Sequence, residues 1–454
     1  MKNYKPELTK DTLSILCEEF KKNNYIDPED NEKYQVKRGL RNPDGTGVLA
    51  GLTRICTVHG YIMSENERVP VDGKLIYRGI DVADIVNGCT ADNRFSFEET
   101  CWLLLFGELP TKDQLEWFNQ LISECRVLPP YFAEDMIIKA PSQDIMNKLA
   151  RSVLALYSYD ENPEELTLYN VLRQSIKLIA QLPIIMAYAY QVKRRQYNGE
   201  SMYFHPVNKC QSTAEVILST IRSDMKFTDE EAKLLDLCLT LHAEHGGGNN
   251  STFTARVVTS SGTDTYSAIS AAIGSLKGPK HGGANIKVIE MLEHFKTGIK
   301  NWEDEAEIYE YIKKVLRKEA GDGSGLIYGM GHAVYTLSDP RAVILKKKAK
   351  KLAEENGIGA EFRLLELVEK LTPAAFEEIR GNGKAISANV DMYSGLVYKA
   401  LKIPQDVFTP LFAIARVSGW CAHRIEELMA GGRIIRPAYK AVSPSCGYTA
   451  LDDR

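Results

Sequence analysis

The chain is short of the features that mark several large classes of protein. It has no run of the ~18 consecutive apolar residues that a membrane span needs. Its nine cysteines, Cys17, Cys56, Cys89, Cys101, Cys125, Cys210, Cys238, Cys421 and Cys446, are scattered and include no C-x-x-C pair, which argues against a disulfide framework or a zinc ribbon. The formal net charge is only −4 over 454 residues, so nothing in the balance calls for nucleic acid as a partner. The opening segment MKNYKPELTKDTLSILCEEFKKNN carries acidic residues and no apolar core, unlike a secretory signal or an Arg-rich transit peptide. Together these absences lead us to expect a reduced, cytoplasmic, membrane-free protein. Repeats of fixed period and low-complexity tracts are missing too. Strand signals are nearly as scarce, the one clear hairpin being ICTVHGYIM and KLIYRGI on either side of the turn-rich SENERVPVDG.

What is abundant is helical periodicity. Apolar residues recur at helical spacing around 142–158, 164–194, 212–223, 229–245, 264–276, 284–297, 302–319, 340–356, 359–371, 393–402 and 407–430. Pro183 is expected to kink or split the second of these. Two capping boxes, Ser96 with Glu99 and Thr111 with Gln114, open the segments SFEETCWLLLFG and TKDQLEWFNQLI. The fold class is therefore all-α, with a small N-terminal β-hairpin, and a chain of this length predicts at least two domains. The segments GDGSGLIYGMGH and RGNGKAISANVD read as hinges or binding loops.

Histidines are few, eight in all, yet four sit in glycine-rich or helix-terminal settings: HAEHGGGN, GPKHGGAN and GMGH. His281 lies on a turn between two helices, fixed by Pro279 and flanked by glycines that let another group approach. The amides opening the following helix favour its neutral form. His242 and His245 end an apolar helix, where the C-terminal dipole favours the protonated ring, and His242 reads as a carbonyl cap. The H-E-x-x-H zinc spacing is absent, and no metal site is expected.

Arg341, just inside a helix start marked by Asp339-Pro340, is electrostatically out of place unless a carboxylate ligand or a surface ion pair holds it. Arg416 lies in an otherwise apolar helix and needs an anion. Asp391 stands at a loop-to-helix junction, where an N-cap is the ordinary reading.

Taken in order, HAEHGGGN, GPKHGGAN, GMGHAVYTLSDPR and NVDMYSG closely resemble the signatures of the citrate synthase family, over roughly residues 45–437. The resemblance implies a two-domain, multi-helical fold: a large domain from 1–283 and 390–454, and a smaller inserted domain at 284–389. It implies condensation of acetyl-CoA with oxaloacetate, with coenzyme A thioester as substrate and no separate cofactor. Asp391 corresponds to the base, His281 to the donor on the thioester oxygen, and His332 to the donor on the ketone. His245, Arg341 and Arg416 correspond to oxaloacetate ligands, and Arg436 to one supplied by the partner subunit of a homodimer or larger homo-oligomer. The coenzyme loops correspond to the stretch before His332 and to RGNGKAISANVD. The sequence departs from the family at Ala388, where members often carry proline. 2-Methylcitrate synthase, using propionyl-CoA through the same residues, is the nearest alternative. The longer N-terminal segment has no assigned role.

Overall fold

The computed structural model describes residues 9–64, 67–381, 383 and 385–453. Within these the chain is helical, as expected, with one small sheet. Packing divides it into two units, Met1–Leu52 with Arg436–Arg454, and Thr53–Ile435. The first contains α1 (Lys10–Asn23), begun by a Thr9 cap, and α2 (Pro28–Lys33), begun by Asp27 with proline at its first position. In the same unit the Lys440 ammonium lies 5.8 Å from the Tyr34 ring centre.

The second unit opens with β1 (Cys56–Ser64), β2 (Glu67–Tyr77) and β3 (Ile80–Asp81), an antiparallel sheet in the order β1-β2-β3. The hairpin is thus real but tighter than the sequence suggests. Residues 67–73, expected in a long connection, form part of β2, with Pro70 opposite Tyr61. β3 pairs only with Ile76 and Tyr77, so Pro70 stands on an edge where a missing amide is tolerated. The expected turn at Glu65 and Asn66 lies outside the described residues, as does the start of the N-terminal segment.

The helices then follow in sequence: α3 (Val82–Ala91), α4 (Phe97–Phe106), α5 (Lys112–Cys125), α6 (Ile145–Leu156), α7 (Leu168–Asn198), α8 (Thr213–Ile221), α9 (Asp229–His242), α10 (Asn250–Thr259) and α11 (Thr265–Lys277). After these come α12 (Ala284–Gly298), α13 (Glu305–Leu316), α14 (Pro340–Glu355), α15 (Gly359–Arg380), α16 (Asp391–Ala400) and α17 (Phe408–Met429). α17 is the central post. Every residue from Phe408 to Arg424 is buried, and it packs on α4, α7, α9, α10 and α11. Such all-round burial explains why its two arginines, Arg416 and Arg424, are so informative.

Two local expectations need correction, and one helix was not foreseen. α7 continues through Pro183 without a break, because its apolar neighbours from Leu178 to Val192 are buried and tertiary packing outweighs the lost hydrogen bond. Ser96 does not close a capping box with Glu99: its amide and hydroxyl both donate to Asp236 Oδ2, at 2.6 and 2.8 Å, while Glu99 pairs with Arg94. The N-terminus of α4 is therefore capped from α9, by a carboxylate 140 positions away in sequence. The Thr111–Gln114 box forms as expected. Finally, NSTFTARVVT forms α10, which its β-branched and polar content conceals.

The sheet matters because it supports a loop. At Gly60 and Gly73 a Cβ would come within 2.7 Å of the Val334 carbonyl and 2.6 Å of the Tyr335 ring, so only glycine lets segment 334–338 lie this close. Ser338 ties the contact, receiving the Gly73 amide at 3.2 Å and donating to Asp72 at 2.8 Å.

Candidate active site

His332 stands at the start of that supported segment. Its Nδ1 accepts two backbone amides, from Val334 and Tyr335, both at 3.1 Å. An amide can only donate, so in the neutral ring the proton resides on Nε2. The ring stacks on buried Tyr335, with centroids 4.6 Å apart, and meets His245 edge-on at 5.0 Å.

His281 is fixed in the opposite sense. The turn between α11 and α12 sets its Nε2 3.4 Å from the Ser251 amide and 3.0 Å from the Ser251 hydroxyl, which itself accepts the Trp420 indole N–H at 3.2 Å. The amide again decides the tautomer: Nε2 accepts, and Nδ1 carries the proton. Burial, with Arg416 adding to it, lowers the pKa of His281 to about 4. The imidazole is neutral as expected, with burial the largest cause.

His242 and His245 correct the sequence reading. Both are held neutral, His242 at about 3 and His245 well below the usual range, because burial outweighs any helix-terminal effect, and Arg341 and other neighbours add to it at His245. His242 is the carbonyl-bound histidine expected, with Nδ1 2.7 Å from the Cys238 oxygen. His245 Nε2 has no hydrogen-bond partner among the described residues.

The two arginines differ. Arg341 is paired within the chain, Nε to Asp339 Oδ1 at 3.0 Å and Nη2 to Asp339 Oδ2 at 2.7 Å, with both side chains buried. The pair is buried, so the surface ion pair expected as the alternative for Arg341 is not what holds it. Burial pulls its pKa down, but the Asp339 carboxylate raises it above the ordinary value. Arg416 is fully buried, donates Nε to the His242 carbonyl at 2.6 Å, and leaves Nη1 and Nη2 without hydrogen-bond partners among the described residues. A buried guanidinium with two free amino groups is a receptor for a carboxylate.

Asp391 is the first residue of α16 and does not cap it. Asn389 does that work, its Oδ1 accepting the Asp391 amide at 2.9 Å while its Nδ2 donates to the Gly331 carbonyl at 2.8 Å. Burial pushes the Asp391 carboxyl up to about 6, against the pull of Arg341. The loops carrying His332 and Asp391 are strapped together by a bridge between Met330 and Ala388, with Gly331 donating to Ser387 at 2.7 Å and Asn389 to Gly329 at 2.8 Å. Neither bond uses the Ala388 amide, so the bridge survives the departure from proline. Asn382 and Lys384, within the second expected coenzyme loop, lie outside the described residues.

His245, Arg341 and Arg416, all buried, and the half-buried His332 and Asp391 thus share one region, linked by ring contacts and mutual fields, and His281 feels Arg416 from its edge. Arg436 is exposed and belongs to the other unit. Sequence reasoning missed Ser251, Asp339 and Asn389 as orienting groups, and Glu244. The last left a signal: a carboxylate just beyond a helix C-terminus opposes the dipole and needs a compensating charge. Among the described residues no group of three or more His, Cys, Asp or Glu side chains is arranged to hold a metal.

The family model described as citrate synthase, C-terminal domain, matches residues 43–438. The chain belongs to the citrate synthase family. It is accordingly an enzyme of the acyltransferase class. Citrate synthase of Synechocystis sp. is 35% identical over 410 residues, 90% of each chain. 2-Methylcitrate synthase 1 of Corynebacterium glutamicum is 33% identical, covering 90% of this chain and 96% of that one. Citrate synthase from the thermophilic archaeon Thermoplasma acidophilum, solved as a ternary complex with carboxymethyl coenzyme A and oxaloacetate, superposes with a TM-score of 0.74 at 26% identity, over 92% of this chain and 99% of that chain. No helix of the described residues is long and apolar enough to cross a membrane.

Proposed function

We propose that the enzyme condenses acetyl-CoA with oxaloacetate and hydrolyses the resulting citryl thioester to citrate and coenzyme A, with the thioester as substrate and no other cofactor. The observation that carries this reading is the pair of neutral imidazoles locked by backbone amides in opposite tautomers, each presenting one N–H donor, beside a carboxyl of pKa about 6. Asp391, ionised near neutrality and poorly hydrated, removes a proton from the thioester methyl group. His281 donates Nδ1–H to the thioester oxygen as negative charge develops there. His332 donates Nε2–H to the oxaloacetate ketone, and the enol carbon attacks the carbonyl carbon so polarised. Oxaloacetate is held by His245, Arg341 and Arg416. Rigid neutral donors suit this chemistry because they need no reorganisation when the charge appears.

Arg436 is proposed to reach the same ligand in the partner subunit of a homodimer. The exposed apolar side chains of its own unit, among them Leu49, Leu52, Tyr439 and Tyr448, favour a covered surface there. Residues 284–389 are proposed as a smaller domain closing on the rest, and the cytoplasm as the location.

A second reading, 2-methylcitrate formation from propionyl-CoA, is favoured by the Corynebacterium relative. One methylene is worth only ~1–3 kcal/mol in an apolar pocket, so the shared residues do not separate the two. Comparing kcat/KM for acetyl-CoA and propionyl-CoA at saturating oxaloacetate tests the choice. A preference for acetyl-CoA supports the first reading, and a preference for propionyl-CoA replaces it with the second.

A further inference from the structure

Glu244 stands between His242 and His245 in sequence, and its side chain is entirely buried. One oxygen, Oε1, lies 2.9 Å from His423 Nε2, and His423 is buried too. His423 Nδ1 in turn accepts from Arg256 Nε at 3.0 Å and from its Nη2 at 2.6 Å. Because Arg256 can only donate, His423 must carry its proton on Nε2 and give it to Glu244. Arg256 is closed off at the far end by Glu426 and Glu427. A chain of four charged or polar groups therefore runs from the protein surface to Glu244 and fixes one of its oxygens.

Among the described residues the other oxygen, Oε2, has no hydrogen-bond partner, and neither do Nη1 and Nη2 of Arg416. Yet Glu244 is the strongest favourable charge acting on Arg416, and Arg416 in turn helps hold Glu244 ionised. The two attract without bonding. Room for this arrangement is made by Gly419, one turn beyond Arg416 on α17, where a Cβ would collide with Glu244 Oε2 and lie 2.6 Å from the Ala243 carbonyl. The contrast is with Arg341, whose Nε and Nη2 are both occupied by Asp339.

We infer that Glu244 is a positioning residue: tethered by His423, it neutralises Arg416 through space while leaving both Nη groups free to receive a carboxylate of the substrate. Compensation without contact solves a specific problem. A buried guanidinium needs a counter-charge, but a directly bonded one would compete with the ligand. This inference rests on the reading of Arg416 as an oxaloacetate ligand.

The inference predicts effects of opposite sign at the two ends of the tether. Glu244→Gln keeps shape and hydrogen bonding but removes the charge, so Arg416 attracts an anion more strongly and oxaloacetate binds tighter, on the order of tenfold. His423→Phe releases the carboxylate to pair with Arg416, so oxaloacetate binds more weakly by a similar factor. His423→Gln, whose amide nitrogen overlays Nε2, stays close to the parent protein. In the Glu244→Gln background the His423→Phe effect disappears.

Isothermal titration of oxaloacetate into each purified full-length variant measures this, with circular dichroism to confirm folding. Should Glu244→Gln fail to fold, the His423 pair alone decides, by the difference between Phe and Gln. If the parent binds oxaloacetate and the folded variants bind it equally well, Glu244 is merely structural and the inference is overturned. If the parent binds no oxaloacetate, the assignment of Arg416 falls first and this inference with it.

Discussion

Asp339 and Arg341 form a two-point ion pair across the first turn of α14, and Asp339 also receives the Val390 amide at 3.2 Å, tying that helix to the loop that delivers Asp391. The carboxylate has a second effect on Asp391, since its charge helps raise the pKa of that group, whereas Arg341 lowers it. Replacing Asp339 by Asn should therefore act twice. Leaving Arg341 buried and uncompensated should cost about 3–5 kcal/mol of stability, measured by denaturant unfolding. The acid limb of the rate profile should also move to lower pH, because Asp391 loses a like charge and keeps Arg341.

The parent enzyme should show that limb near pH 6. Asp391 works only when ionised, so kcat/KM should rise with pH through about 6 and level off above it. His281, with a pKa of about 4, remains neutral across the range and contributes no limb of its own near neutrality. A profile flat from pH 5 to 8 would remove Asp391 from the role of base.

Opposite tautomers predict opposite tolerance to substitution. Asparagine places its amide nitrogen where Nδ1 of histidine stood, and glutamine places it where Nε2 stood. His281 presents Nδ1–H, so His281→Asn should retain more activity than His281→Gln. At His332, which presents Nε2–H, the ranking should invert. Losing either donor outright should cost roughly 10²–10³ in kcat. Steady-state kinetics on the four variants checks it, and the same ranking at both sites would contradict the assignment of the protons.

Gly73→Ala should loosen the segment that carries His332. The new methyl would collide with the Ser338 carbonyl and the Tyr335 ring, destabilising the fold by about 1–3 kcal/mol. Activity should fall by more than the folded fraction does, because His332 takes its tautomer from amides in that segment. An activity loss that merely tracks the folded fraction would mean the loop does not depend on this contact.

How far these relationships could be read in the sequence depended on their range. Periodicity gave α9, α11, α12 and α17 to within a few residues, because their apolar residues recur at helical spacing between clear start and stop signals. The motif residues His281, His332, Arg341, Asp391 and Arg416 drew notice through glycine, helix ends and apolar surroundings, but it was the resemblance to the citrate synthase family that gave them roles. What settles their chemistry was hidden. The tautomers come from amides at Ser251, Val334 and Tyr335, and an amide carries no signature in a sequence. The proton affinities of His242 and His245 were misjudged because a helix terminus is visible locally and burial is not. The cap on α4 failed for the same reason, with Asp236 reaching Ser96 from another helix.

The most direct test of the account is release of free thiol from acetyl-CoA in the presence of oxaloacetate, by the parent enzyme and by Asp391→Asn. The account predicts oxaloacetate-dependent release that falls by roughly 10²–10⁴ in the variant while oxaloacetate binding is retained. Equal release by the two proteins, or none by either with acetyl-CoA or propionyl-CoA, would contradict it.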